Sequence, residues 1–523
     1  MSRLWFESAL LPGGWTDHVR LTVVDDCIDR IEMNVTPEEG DEQHAIAVPG
    51  LPNIHSHGFQ RGLAGLTERR GPSTDSFWTW RELMYQFVER IDPEGLEAIT
   101  ALAFAEMLEA GFTHVVEFHY VHHDREGVPF ADPGELCGRV AAAALETGIG
   151  LTLLPSFYAH SDFGGAEPTV RQRRFVCDIE RFARILESSR KSVASLPGGL
   201  VGVAPHSLRA VTPDELTAVV GLTSGEPIHI HVAEQVQEVE ACLSWSGQRP
   251  VQWLLENAPV DDRWCLVHAT HATPEELRGV ATSRAVVGLC PLTESSLGDG
   301  IFPAVDFLGF GGSVAIGTDS NVRIDAAEEL RTLEYSQRLA HRARNVLARG
   351  DGASTGRTLF DAALAGGAAA AQLGRSSRAD RYTTPNAAFP ALRVGRSSRA
   401  DRYTTPNAAF PALRVGGTRG MSGKPTGSTL PSGSQHHPKR DILRPQEGLE
   451  AGALLNLVTL NAQHPSLVDR RGDEILDSWV FAGDRGVVEH VWRAGHQVVS
   501  NGHHVRRAAI TARYRRALRN LLE

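Results

Sequence analysis

The stretch AIAVPGLPNIHSH, residues 45–57, decides how this chain is read. An apolar, β-branched run ends in two histidines one residue apart. On a strand alternate side chains share a face, so His55 and His57 point the same way from the strand end. Seven further runs of the same kind follow: THVVEFH (113–119), GLTLLPSF (150–157), GLVGVAP (199–205), PIHIHVAE (227–234), WCLVHAT (264–270), AVVGLCP (285–291) and GSVAIGTDS (312–320). Helix-sized connections separate them, such as LEAITALAFAEMLEAGF (96–112), with helical apolar spacing and a glycine stop. Eight such units predict an α/β protein, a (β/α)8 TIM-type barrel spanning residues 46–374. Nearly every run carries a His, Glu or Asp at or just after its C-terminal end. That is the rim where the loops of a barrel enzyme converge.

The flanks differ. Residues 1–45 and 447–505 hold short alternating pieces, among them VRLTVVDDCIDRIEM (19–33) and VEHVWRAGHQVVSNG (488–502). They predict a small β-sandwich built from both termini, closed by an amphipathic helix over 506–523. Between barrel and sandwich, GRSSRADRYTTPNAAFPALRV (374–394) is repeated without change at 395–415. The wider segment 375–446 has eight prolines and 13 Lys/Arg against three Asp/Glu. This composition predicts a disordered basic insertion, read as a solvated loop without a role of its own rather than as a binding arm.

Composition narrows the class. The 523 residues are 42% hydrophobic and carry a net charge of -11, so nucleic acid and anionic membranes are not expected partners. The six cysteines are scattered with no CxxC pair, which predicts reduced thiols and a cytoplasmic location. Neither a signal peptide nor a membrane-spanning run is legible.

The chemistry-bearing residues fall on the runs in a fixed order. Neutral imidazoles at His55 and His57 are good ligands for a zinc-like ion. His231 ends the fifth run, and Glu234 follows three residues on, placed to lean over whatever His231 binds and to shuttle protons. His229 shares the strand face of His231 and reads better as a packed core histidine. His268 ends the sixth run and could polarise a carbonyl, an imine or an attacking water; His271, in the loop beyond, reads as structural. Asp319 stands at the end of the eighth run, a carboxylate able to bind metal and accept a proton from water. A buried aspartate without such a partner would be costly.

This constellation resembles the amidohydrolase superfamily, in its deaminase-like branch with one metal, since no lysine suited to bridging two metals follows the fourth run. The segments PGLPNIHSHGFQRGLAGLTE, FWTWRELMY, VVEFHYVHH, APHSLRAV, HIHVAEQ and TDSNVRIDAAEELRTLEY are similar to those of the formimidoylglutamate deiminase family. The resemblance implies that His55, His57, His231 and Asp319 hold one divalent ion per chain. It implies proton transfer by Glu234, His268 and Asp319. It also implies that Gln60, Arg81, Tyr120, His206 and Arg209 grip a small substrate with two carboxylates, N-formimino-L-glutamate. Arg81 and Arg209 suit carboxylates on chemical grounds as well, although Arg81 alone would read as one half of a surface ion pair. Zinc is the expected metal from N/O ligation with an open position, while iron, manganese and nickel use the same ligand types. A homodimer is expected from the resemblance only. Two other readings stand: deamination of a guanidine, purine or triazine-like ring on the same site, and a non-catalytic scaffold, which would need none of these ligands.

Overall fold

The computed structural model describes residues 1–71, 74–374 and 448–523; the expected disordered insertion lies outside them. All eight apolar runs form strands: β5 (Leu51–Ser56), β6 (Phe112–His119), β7 (Gly150–Phe157), the paired fragments β8 (Leu200–Val201) and β9 (Ala204–Pro205), β10 (Ile228–Val232), β11 (Trp264–His268), β12 (Val286–Leu289) and β13 (Ser313–Ile316). They run parallel in two arcs, β5-β6-β7-β8 with β9 beside β7, and β10-β11-β12-β13. The arcs meet through single parallel bridges, Ser56–Asp319 on one side, Val203–Ile228 and Ser207–His231 on the other. The ladder is therefore not continuous around a ring. At one of these junctions the chains come very close: Gly202 abuts the Pro227 carbonyl, where a Cβ would stand 2.2 Å from that oxygen.

Helices between the strands cover their outer face. The helix Pro93–Glu109 shows why the sequence folds this way: Asp92 caps it by accepting from the Gly95 amide at 2.7 Å, and Gly111 at φ +93° lets the chain turn into β6. Its residues are nearly all buried, since it is covered in turn by the C-terminal helix Arg507–Leu522 through Ile510 and Leu521.

The termini meet in one eight-stranded ladder. β1 (Ser2–Leu11), β2 (Gly14–Val24), β3 (Cys27–Glu32) and β4 (Glu42–Pro49) join β14 (Asn456–Leu460), β15 (Val488–Arg493), β16 (His496–Ser500) and β17 (His503–His504) in the order β17-β16-β15-β14-β4-β1-β2-β3. The sequence pointed to a two-layer sandwich; the strands are hydrogen-bonded as a single sheet, with its own apolar cluster around Phe6, Val19, Leu21, Leu455 and Trp492. Because β4 runs almost directly into β5, this sheet sets the entry of the strand that carries His55. Five cysteines are buried and Cys27 is partly so, all as free thiols. Among the described residues no helix is long and apolar enough to cross a membrane.

Candidate metal centre and substrate pocket

The C-terminal ends of β5, β10 and β13 place His55, His57, His231 and Asp319 together, all buried, with ligand atoms within 4.8 Å of one another. His55 Nε2 and His57 Nε2 lie 3.4 and 3.3 Å from Asp319 Oδ1, and His231 Nε2 lies 3.0 Å from His55 Nε2. The far nitrogens fix the tautomers. His57 Nδ1 bonds the Phe118 carbonyl at 2.7 Å and His231 Nδ1 the His206 carbonyl at 2.9 Å. Both Nε2 atoms then turn lone pairs toward the cluster, the arrangement a cation requires. Burial pushes His55 down to about 3 and His57 and His231 also downward, so all three are neutral ligands at neutral pH. Two imidazole nitrogens 3.0 Å apart in a dry site are best reconciled by a shared positive ion, and the three-nitrogen, one-oxygen set fits a zinc-like divalent metal.

A hydrogen-bonded clamp holds the strand ends in register. Asn53 Nδ2 donates to Thr318 Oγ1 at 2.7 Å, and Thr318 Oγ1 donates to Asn321 Oδ1 at 2.6 Å. Asn321 Nδ2 faces Ser56 Oγ and the carbonyls of His57 and Asp319, each at 3.1 Å. Asp319 adopts φ +44° and His268 φ +69°, left-handed backbone that non-glycine residues seldom hold. Such strain persists where the surroundings over-determine it.

Beside the cluster stands an acid–base group. His268 Nε2 lies 3.7 Å from Glu234 Oε1 and 3.8 Å from Asp319 Oδ2, and its Nδ1 lies 3.2 Å from Glu294 Oε1. Burial alone would lower the His268 pKa, but Glu234, Glu294 and Asp319 together raise it to about 10. Burial pushes the Glu234 carboxyl upward, while the neighbouring His268 charge pulls it down. Glu238 orients this loop by accepting the Ala233 and Glu234 amides, both at 3.1 Å. Asp299, bonded by Gln235, joins Glu234 and His268 within 4.8 Å and is also pushed up by burial. Glu238, Glu294 and Asp299 are the residues sequence reading missed. Glu294, in the first turn of the helix Pro291–Leu297, looks like an ordinary acid at a helix start, and nothing local marks the other two.

The pocket above is lined by Gln60, Arg81, Tyr120, His206 and Arg209 together with His57, His231, Glu234, His268 and Asp319. Gln60 Nε2 donates to the Tyr120 hydroxyl at 2.8 Å, leaving its buried Oε1 without a partner. His206 packs edge-on to Tyr120 and Tyr158. Arg81 stacks on Trp78 at 4.5 Å and Arg209 lies over the same ring at 5.7 Å. Neither guanidinium has a hydrogen bond or ion pair among the described residues, and both Nε atoms are buried without a partner. His229 is not part of the site: its Nε2 bonds the Ala370 carbonyl at 3.0 Å in the core.

Residues 46–374 match the model of the amidohydrolase family, and this chain belongs to that family. Its first 45 residues match the model described as the N-terminal domain of formimidoylglutamate deiminase HutF. The formimidoylglutamate deiminase of Pseudomonas aeruginosa is 42% identical over 506 residues, 96% of each chain. An 8-oxoguanine deaminase of the same species is 26% identical over 66% of this chain and 78% of its own length. Among solved structures, an amidohydrolase from Brucella melitensis superposes with a TM-score of 0.84 at 45% identity over the whole of both chains.

Proposed function

We propose that this protein hydrolyses N-formimino-L-glutamate to N-formyl-L-glutamate and ammonia, a step of histidine degradation. The observation that carries the substrate is the pair of unpartnered guanidiniums, Arg81 and Arg209, facing the same pocket as the N/O cluster. Arg209 feels the charges of Glu238 and Glu234 at a distance, but neither guanidinium makes a contact ion pair among the described residues, so both can take the carboxylates of a substrate that has two. The relatives named formimidoylglutamate deiminase support the same reading.

His55, His57, His231 and Asp319 would hold one divalent cation, with zinc the expected metal, which supplies Lewis-acid activation of water at neutral pH. The chain's own residues do the rest. Arg81 and Arg209 anchor the carboxylates, while Gln60 and Tyr120 offer neutral hydrogen bonds, so the formimino carbon is directed at the cluster. Asp319 Oδ2, turned toward His268, accepts a proton from the attacking water, and His268 orients that water. Glu234 delivers one proton to the terminal nitrogen and Asp319 passes on the one it took from water, while the hydroxyl of the intermediate returns its proton to Glu234; the carbon–nitrogen bond breaks, ammonia leaves and the formyl oxygen remains. The two parallel arcs are read as halves of a (β/α)8 barrel and the terminal strands as a composite β domain. A homodimer is the assembly to look for by light scattering.

The test is ammonia release by the metal-loaded protein. N-formimino-L-glutamate should be strongly preferred over a neutral formamidine of similar size. Faster hydrolysis of a neutral ring amine, with Arg209→Met indifferent to the choice, would move the protein to the ring deaminases.

A further inference from the structure

Side chains alternate along β6, and the two faces of its last residues meet different company. Phe118 packs on the rings of His55, His57 and His231, with centroids 5.1, 5.4 and 4.5 Å away. His119, the next residue, projects from the opposite face. There it meets His122, from the loop beyond β6, and Cys137, from the helix Glu135–Thr147. All three are buried, and their ligand atoms lie within 4.8 Å of one another.

The hydrogen bonding of this group repeats that of the catalytic cluster. His122 Nε2 donates to the Ser156 carbonyl at 2.7 Å, and its buried Nδ1 has no partner among the described residues. The Val121 backbone faces His119, whose buried Nε2 has no partner among the described residues. As with His57 and His231, the backbone fixes the far side of the His122 ring and the remaining nitrogen is unmet. Burial lowers His119 to about 4 and His122 to about 3, so both rings are neutral donors. Nothing in the reaction proposed above uses them.

We propose that His119, His122 and Cys137 form a second cation site, on the outer face of β6, for a thiophilic divalent ion of the Zn2+ or Co2+ class. Two imidazoles and a sulfur are a soft donor set, suited to these ions and not to Mg2+ or Ca2+. Binding breaks the Cys137 S–H bond: the sulfur electron pair goes to the ion and the proton to solvent. Burial holds the thiol up at about 12, so the ion must displace a firmly held proton. The catalytic cluster asks for no such displacement and fills first. An ion here would brace the end of β6, which carries Phe118 and the pocket residue Tyr120.

The full-length protein, its catalytic centre first filled with Zn2+, is titrated with Co2+. A thiolate on Co2+ gives a near-ultraviolet charge-transfer absorption; Cys290 lies within 4.8 Å of His268 and Asp319 at the catalytic centre, so the loss of that absorption in Cys137→Ser is what assigns it to the outer site. The expected result is one further equivalent of Co2+ bound with that absorption. Cys137→Ser should lose both the equivalent and the absorption while deiminating at the wild-type rate. His122→Gln, which keeps the thiol, should weaken Co2+ uptake roughly tenfold or more; it carries the test if the serine variant fails to fold. Absence of the absorption in the wild type, or its persistence in Cys137→Ser, overturns the site.

Discussion

At the residue scale the site separates by role, and each role predicts a different loss. Glu234 touches His268 but is not among the four clustered ligands. Glu234→Gln should therefore keep its metal while kcat falls about 10²–10⁴-fold, the usual contribution of a general acid–base group. His55→Ala should lose metal and activity together, as elemental analysis alongside the assay will show; near-normal turnover in Glu234→Gln would rule out the proton delivery assigned to it. Arg209, proposed to grip substrate, is not among the clustered ligand atoms. Removing a charge-assisted hydrogen bond costs about 1.5–3 kcal/mol, so Arg209→Met should lower kcat/KM by about one to two powers of ten. Its metal content should be unchanged. The four clustered residues and the pocket-lining residues were legible as candidates because they end apolar runs or sit in family-like segments. Glu238, Glu294 and Asp299 were not, because a carboxylate that orients another side chain leaves no periodic trace. Their role exists only once β10, β11 and the helix Pro291–Leu297 are side by side.

At the scale of elements, strand existence was more legible than strand closure. Eight β-branched runs between turn residues are a local signal, and all eight appear as strands. That the fourth divides into β8 and β9, and that the two arcs are joined by single bridges rather than full ladders, depends on close approaches between chains distant in sequence. One such approach can be tested. Gly366, in the helix Thr355–Ala371, lies so close to β13 that a Cβ would stand 1.9 Å from the Val314 carbonyl oxygen. Alanine would gain about 1 kcal/mol of helix propensity in isolation. Against backbone it cannot displace, overpacking costs typically about 1–3 kcal/mol or more. Gly366→Ala should lower Tm in thermal denaturation, and because β13 leads to Asp319 it should also loosen metal retention. An unchanged or raised Tm would mean the helix can move off the strand without cost.

At the scale of the whole molecule, the C-terminal helix is tied to the helices that flank β6 by ion pairs that no sequence pattern announced. The amphipathic character of the last helix was visible, but not its partner. Residues distant in sequence supply that partner: Arg507 reaches Glu106 and Glu109, each at 3.1 Å, and Arg513 reaches Glu97 at 3.0 Å and also pairs with Glu146. The exact 21-residue duplication predicts the opposite behaviour in the middle of the chain: removing the second copy, residues 395–415, should leave turnover and Tm unchanged, since identical tandem copies of this composition add no unique surface. A collapse of either would show the copy to be part of the fold. The C-terminal tie gives a pH signature. Glu106 also accepts from Arg61 Nε at 2.6 Å, and Arg61 follows Gln60 of the pocket, so one carboxylate joins the last helix, the helix Pro93–Glu109 and the site loop. Burial would raise its pKa, but Arg61 and Arg507 outweigh burial and hold it below the ordinary carboxylate value. A group whose folded pKa is depressed contributes stability above its unfolded value, about 4.3 for Glu, and loses it as pH falls through the folded value. The Tm gap between wild type and Glu106→Gln should accordingly be full at neutral pH and shrink as the solution is acidified below about pH 4. A gap that stays constant down to pH 3, or widens, would show that the carboxylate's charge is not what fastens the C-terminal helix to the rest of the protein.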